Sequence, residues 1–196
     1  MAGKLIVLYG INNLGKSTQA RILVEKLLAK NITAAYLKYP LYDLVPSGEL
    51  LNNYLRKGNT FGLSAREFQI VQILNKTQYD PTLRSRLAAD EWIVAEDYTN
   101  TGIAWGMGAG VDKTFMERLN SHLRNEDLGI LFKGKRFMEA QEKNHMHETN
   151  DELTNKVAEA FEALGKLHGW ESVNANETIE SIAAKIWDIV QKKFKL

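Results

Sequence analysis

A glycine-bounded loop near the start of the chain is the feature that most constrains the fold. From Gly10 to Ser17 it has the spacing G-x-x-x-x-G-K-S, and the apolar run LIVLY leads directly into it. The segment 18–30 then repeats apolar residues at helical spacing. A buried strand, a glycine loop and a helix in this order direct backbone N–H groups and the positive end of the helix dipole at a phosphate.

Two side chains of this loop have the chemistry that a bound triphosphate requires. Lys16 can reach the terminal phosphates, and the Ser17 hydroxyl is a ligand for Mg²⁺. The strand before the loop and the helix after it disfavour the alternative of a plain tight turn. The sequence therefore predicts a nucleoside triphosphate site formed by Gly10, Asn13, Leu14, Gly15, Lys16, Ser17 and Thr18.

Strand-like and helical segments alternate along the rest of the chain. The pattern of residues predicts strands at 4–9, 33–39, 92–95, 128–132 and 170–173, of which those at 4–9 and 92–95 are expected to be buried. Helical spacing predicts a helix closed by Gly58, then helices at 64–76, 81–89, 112–124, 137–164 (interrupted) and 178–194. This alternation favours one three-layer α/β domain over residues 1–196, with its ligand site at the carboxyl ends of parallel strands.

Composition excludes several other classes of protein. There are 25 basic residues (Lys and Arg) and 24 acidic ones, so a formal net charge of +1 offers no general field for nucleic acid or an anionic membrane. The chain has no cysteine, which excludes a disulfide framework and thiolate metal sites. Its apolar runs are too short for a membrane span. We expect a cytoplasmic protein with a small-molecule substrate.

An ordered series of segments resembles the thymidylate kinase family, whose members move the γ-phosphate of ATP to dTMP. In chain order the segments are GINNLGKSTQ, LKYP, SGELLNNYLRKG, ILNKTQYD, EDYTNTGIAWG and HETNDEL. The resemblance implies a P-loop NTPase fold, in which a five-stranded parallel sheet is flanked by helices, with a short lid at about residues 137–153. It also implies ATP as the phosphate donor, Mg²⁺ as the metal, and a homodimer.

The resemblance assigns roles to further residues. It implies Lys16, Lys38 and Glu96 as catalytic residues, with Glu96 joining Ser17 at the metal. The backbone of Asn174 and Ala175 is implied near the adenine of ATP. The residues implied for the acceptor nucleotide are Asn12, Lys38, Tyr39, Pro40, Gln72, Lys76, Asp97, Tyr98 and Trp105. The alternative for Lys38 and Lys76 is a solvated surface lysine, and for Tyr98 and Trp105 it is core filling.

Several positions depart from the family pattern. Asn12 stands where the family has Asp, and Glu96-Asp97-Tyr98 replaces Asp-Arg-Tyr or Asp-Arg-Phe. The family's catalytic arginine would fall at Asn13 or Thr149. The basic residues that could replace it are Lys143 and, in the run FKGKRF, Lys133, Lys135 and Arg136.

Three hypotheses remain open from the sequence. The favoured one is transfer from ATP to a pyrimidine deoxynucleotide, with dTMP first. The second is a kinase for a modified pyrimidine nucleotide or a deoxynucleoside, because the Asp97 carboxylate suits a hydroxyl better than a phosphate. The third is a nucleotide-binding homologue with impaired catalysis.

Overall fold

The computed structural model describes residues 2–137 and 150–196, which form alternating strands and helices. The strands are β1 (Leu5–Tyr9), β2 (Ala34–Lys38), β3 (Trp92–Glu96), β4 (Leu128–Lys133) and β5 (Glu171–Asn174). The helices are α1 (Lys16–Ala29), α2 (Ser47–Arg56), α3 (Ala65–Ala88), α4 (Thr99–Gly108), α5 (Lys113–Asn120), α6 (Asp151–His168) and α7 (Ile179–Phe194).

The strands form one parallel sheet in the order β2-β3-β1-β4-β5. This confirms the predicted five-stranded parallel sheet. The central strand β1 is completely buried, as expected for a strand covered on both faces. Leu8 of β1 and Lys38 of β2 are both in register with Glu96 of β3. The sheet therefore brings the P-loop, a lysine and a carboxylate to one edge.

Helix α3 differs from the prediction of two helices at 64–76 and 81–89, because it runs unbroken through Pro81. Its start agrees with the prediction, since Ser64 and Glu67 form a capping box. An ion pair between Arg84 and Asp80, with 2.6 Å between Nε and Oδ2, spans the proline. Buried Leu83 beyond it anchors the helix in the core, so tertiary packing overrides the local preference of proline.

Helix α4 is missing from the sequence prediction, which assigned no element between the strand at 92–95 and the helix at 112–124. A Cβ added at Gly108 would meet Val157 of α6 at 2.5 Å, and one at Gly106 would meet Met116 of α5 at 3.1 Å. The glycines therefore let neighbouring helices approach α4 closely. Their packing outweighs the low helix propensity of glycine.

Two other helix boundaries were wrong. Helix α5 ends at Asn120, four residues before the predicted end, and α6 continues to His168, beyond the predicted end at 164. The first part of the predicted 137–164 helix lies outside the described residues. Within the described ranges, no helix has the length and apolar character needed to cross a membrane.

Candidate active site

The P-loop is shaped by residues with positive φ. Gly10 has a φ of 137°, and a Cβ there would lie 2.8 Å from the carbonyl oxygen of Phe132. Gly15 has a φ of 79° and is the N-cap of α1, and as a glycine it has no side chain with which to cap the helix. Lys16 is buried and its Nζ donates to the carbonyl oxygens of Gly10 at 2.9 Å and Ile11 at 2.8 Å. The lysine is thus folded back across its own loop.

Glu96 at the end of β3 connects three elements through one carboxylate. Its Oε2 accepts hydrogen bonds from the Ser17 hydroxyl and the Tyr36 hydroxyl, each at 2.5 Å. Its Oε1 lies 3.2 Å from Nζ of Lys38. Burial acts to raise the pKa of Glu96, but the charges of Lys16 and Lys38 hold that pKa below its usual range. Glu96 is therefore an ionised carboxylate at neutral pH.

Asp97 is the next residue and has a φ of 63°; its side chain is 14% exposed and lines the cavity described below. Its Oδ1 lies 3.8 Å from Nζ of Lys16 and accepts a hydrogen bond from the Thr101 hydroxyl at 3.1 Å. Burial raises the pKa of Asp97 above its usual value, and the Lys16 charge opposes that rise while Glu96 adds to it. A lysine thus stands beside the carboxylate that replaces the family's arginine.

Lys76 on α3 is buried, so the alternative of a solvated surface lysine is wrong for this residue. Its Nζ donates to the backbone oxygen of Gln72 at 3.2 Å and to Oε1 of Gln72 at 3.4 Å. The same Nζ lies 6.0 Å from the centre of the Tyr39 ring. Burial lowers the pKa of Lys76 to about 8, although Asp97 acts to raise it.

Lys38 differs from Lys76, because 55% of its side chain is exposed while its ammonium pairs with Glu96. Burial acts to lower the pKa of Lys38, but the neighbouring Glu96 charge raises it above its ordinary value. Lys38 is therefore a charged lysine at the sheet edge, with its charge held over the carboxylate.

One cavity of about 650 Å³ brings most of these side chains together. Of the residues predicted for the triphosphate, it is lined by Asn13, Leu14, Gly15, Lys16, Ser17 and Thr18. Of those predicted for the acceptor, it is lined by Asn12, Lys38, Tyr39, Pro40, Gln72, Lys76, Asp97, Tyr98 and Trp105, and Glu96 also lines it. Tyr98 and Trp105 are almost fully buried, so each fills the core and also faces the cavity.

Three predicted residues or groups lie away from the cavity wall. Gly10 contacts the site through its carbonyl, which accepts from Lys16. Ala175 lines the cavity, whereas Asn174 is exposed and its Oδ1 accepts from the backbone N–H of Asn176 at 3.0 Å. In the described part of the chain, the cavity lining does not include Lys133, Lys135 and Arg136. Arg136 instead forms an ion pair with Asp151 of α6. Lys143, Thr149 and most of the predicted lid lie outside the described residues.

The cavity lining also includes residues that the sequence interpretation missed, among them Gln69 and Phe137. Gln69 on α3 is buried, and it precedes Gln72 and Lys76 by one and two helical turns. Phe137 donates its backbone N–H to the Asn13 carbonyl at 2.8 Å. Its ring lies 3.9 Å from the position of a Cβ on Gly15. Helical spacing on α3 could have found Gln69, whereas FKGKRF was interpreted only for its charge.

The oxygen atoms at the P-loop fit a magnesium ion. The Ser17 hydroxyl and the Glu96 carboxylate are in direct contact, and hydroxyl and carboxylate oxygens are ligands that Mg²⁺ prefers. Across residues 2–137 and 150–196, no cluster of three or more histidine or acidic side chains could hold a metal on its own. Mg²⁺ at nucleotide sites usually takes one or two protein ligands and completes its coordination with phosphate oxygens and water, and a cation held by Ser17 and Glu96 would fit that arrangement.

Comparison with known proteins identifies the family to which the chain belongs. The sequence profile of the thymidylate kinase family matches residues 8–186. The chain belongs to this family. Thymidylate kinases are phosphotransferases that use ATP as the phosphate donor, so the chain is a member of an enzyme family of that class.

Individual thymidylate kinases match along nearly the whole chain. That of Plasmodium falciparum is 26% identical over 204 residues, which cover 99% of this chain and 91% of the relative. That of Homo sapiens is 27% identical over 186 residues, covering 92% and 86%. The solved thymidylate kinase of Candida albicans has a TM-score of 0.81 at 24% identity and covers 97% of this chain and 92% of its own. The structural similarity confirms the P-loop NTPase fold.

Proposed function

We propose that this chain transfers the γ-phosphoryl group of ATP to dTMP, giving ADP and dTDP. Its membership of the thymidylate kinase family over residues 8–186 supports this function over the two other hypotheses. The observation that carries the proposal is the shared cavity, in which the P-loop and the buried Lys76 both form part of the wall. A donor phosphate site and an acceptor cation in one cavity are what phosphoryl transfer between two nucleotides needs.

The donor phosphates would be held by the P-loop. Backbone N–H groups of the loop and the N-terminus of α1 offer partial positive charge, and Lys16 adds a full charge. In the structure Lys16 donates to two carbonyls of its own loop, so its Nζ is already positioned over the loop. The Asp97 carboxylate also lies 3.8 Å from this ammonium.

The acceptor phosphate would be held by Lys38 and Lys76. Asp97 at the family's arginine position is acceptable here because Lys16 lies against it. The cavity wall has four basic side chains against three acidic ones, which leaves a surplus of positive charge for the phosphates: Lys16, Lys38, Arg56 and Lys76 against Glu96, Asp97 and Glu177. The transfer itself would be in line: an oxygen of the dTMP phosphate bonds to the γ-phosphorus as the bond to the ADP oxygen breaks, and that oxygen keeps the electron pair.

Ser17 and Glu96 would hold the metal. Mg²⁺, when bound, supplies neutralisation of the charge on the transferring phosphates. Glu96 holds the Ser17 hydroxyl and the Lys38 ammonium at the same time, so it aligns the donor and acceptor parts of the cavity. This dual contact supports Glu96 as a residue that positions both substrates.

We further propose that the chain is one kinase domain with a lid at about residues 137–153 and that it forms a homodimer. The family resemblance supports all three. Ile70 and Leu74 of α3 are 44% and 39% exposed and lie one helical turn apart, so they offer an apolar surface for a second copy. Light scattering of the purified chain would test the dimer, and a monomeric mass at micromolar concentration would contradict it.

A coupled assay of ADP release with a panel of nucleoside monophosphates tests the function. We expect release to depend on both ATP and dTMP, and to be abolished by Lys16→Met. A protein that turns over no monophosphate above background would refute the proposal. A preference for another monophosphate would refute the choice of acceptor while retaining the kinase chemistry.

A further inference from the structure

A buried amide on α3 has no role in the function described so far. Gln69 is only 2% exposed, lines the cavity, and its Oε1 is buried without a hydrogen-bond partner. Buried polar atoms in folded proteins are nearly always paired, because leaving an acceptor without a donor is unfavourable. An unpartnered oxygen at the wall of a ligand cavity therefore points to a donor supplied by the ligand.

The position of Gln69 on its helix groups it with the acceptor residues. Gln69, Gln72 and Lys76 stand at i, i+3 and i+7 along α3, so they share one face of the helix. All three line the cavity. The face that holds the acceptor cation thus carries two amides in addition.

Gly102 on α4 lies opposite Gln69 and Lys76. A Cβ built on Gly102 would lie 3.3 Å from Oε1 of Gln69 and 3.9 Å from Nζ of Lys76. The Gln69 oxygen and the Lys76 ammonium therefore both approach a residue without a side chain. An amide oxygen at this point can accept a hydrogen bond from the ring N–H of a flat base.

We propose that Gln69 determines base specificity by accepting the N3–H of a 4-oxo pyrimidine. The inference rests on the proposed function. Thymine and uracil both carry this donor at N3. Cytosine lacks the N3–H and would leave the Gln69 oxygen without a donor, so the site disfavours it.

Calorimetric binding of dTMP and its N3-methyl derivative tests the proposal. N3-methylation should weaken binding to the wild-type protein by roughly tenfold to a hundredfold, the range expected when a buried hydrogen bond is lost. Gln69→Leu should weaken dTMP binding by a similar factor. In that variant, N3-methylation should cost less than about threefold, because the interaction is already absent. ATP affinity should stay within about twofold of wild type.

Gln78→Leu is the matched control, because Gln78 lies on the same helix outside the cavity lining and donates instead to the Val45 carbonyl. It should bind both ligands as the wild type does. If Gln69→Leu does not fold, Gln69→Met keeps the length of the side chain and serves the same comparison.

An equal penalty for N3-methylation in the wild type and the Gln69 variant would overturn the proposal, and so would a lack of dTMP binding. Because the measurement is of binding, the proposed kinase function and the proposed role of Gln69 can be refuted separately. Selective dTMP binding without transfer would refute the proposed function alone, whereas transfer with unchanged selectivity in the variant would refute the role of Gln69 alone.

Discussion

Replacing Lys76 by methionine removes a buried charge from the cavity. We expect the variant to gain stability at neutral pH and to lose one of the two lysines that would hold the acceptor phosphate. Burial lowers the pKa of Lys76 from its ordinary 10.5 to about 8, with Asp97 opposing. Below pH 8 both the folded and the unfolded chain carry this proton. There the folded state bears the full cost of the buried charge, about 3 kcal/mol.

Between pH 8 and pH 10.5 the sign of the effect follows from proton binding. The unfolded chain holds the proton in this window and the folded chain has released it, so the free energy of unfolding of the wild type rises with pH. The Lys76→Met variant also lacks the two long hydrogen bonds from Lys76 to Gln72, which contribute about 0.5–1 kcal/mol each. The net gain expected for Lys76→Met at pH 7 is therefore about 1–2 kcal/mol.

Urea unfolding of the wild type and Lys76→Met at pH 7.0 and pH 9.5 measures this difference. We expect the difference in free energy of unfolding between the two proteins to shift by about 2 kcal/mol in favour of the wild type at the higher pH. The variant should also bind dTMP roughly tenfold to a hundredfold more weakly, the loss expected for a charged hydrogen bond. Lys57→Met, at an exposed position after α2, removes a solvated charge and is the control.

Two results would refute this account of Lys76. One is a stability difference between Lys76→Met and the wild type that stays constant between the two pH values, since a buried lysine with a lowered pKa requires it to change. The other is unchanged dTMP affinity in the variant.

Other substitutions test the remaining parts of the site. Lys16→Met should lower kcat/KM for ATP by at least about a hundredfold in steady-state assays, because the loop loses its full positive charge; near-normal kinetics would contradict its role. Ser17→Ala and Glu96→Gln should each raise the Mg²⁺ concentration needed for half-maximal activity, and a titration curve identical to that of the wild type would argue against a shared metal site. Phe137→Ala should weaken ATP binding by calorimetry roughly threefold to tenfold with dTMP binding unchanged, because its ring packs beside Gly15; equal ATP affinity would exclude a donor-side role.

The sheet was predictable from the sequence because its signals are local. Strands β1, β3 and β4 are short apolar runs whose pattern is visible without the fold, and the glycines that shape the P-loop are in a fixed spacing. Helix α4 could not be predicted in this way. Its glycines disfavour a helix locally. They are needed because Met116 and Val157 pack closely against them, and this packing is visible only in the folded structure.

The candidate site shows the same division. Lys16 and Ser17 could be placed from the loop spacing alone. The burial of Lys76 and the unpartnered amide of Gln69 depend on how α3 packs against α4, which no local pattern of α3 reveals. Asp97 is the clearest example: from the sequence it is a carboxylate where a phosphate is expected, and the structure adds the Lys16 ammonium 3.8 Å away.

The fate of the labelled γ-phosphoryl group of ATP tests the central claim most directly. The purified chain would be incubated with Mg²⁺, dTMP and ATP labelled at the γ-phosphate, and the products separated by chromatography. We predict that the label appears in dTDP and that Lys16→Met abolishes this transfer. Label found only in inorganic phosphate, or retained in ATP, would contradict the assignment of this cavity to phosphoryl transfer between nucleotides.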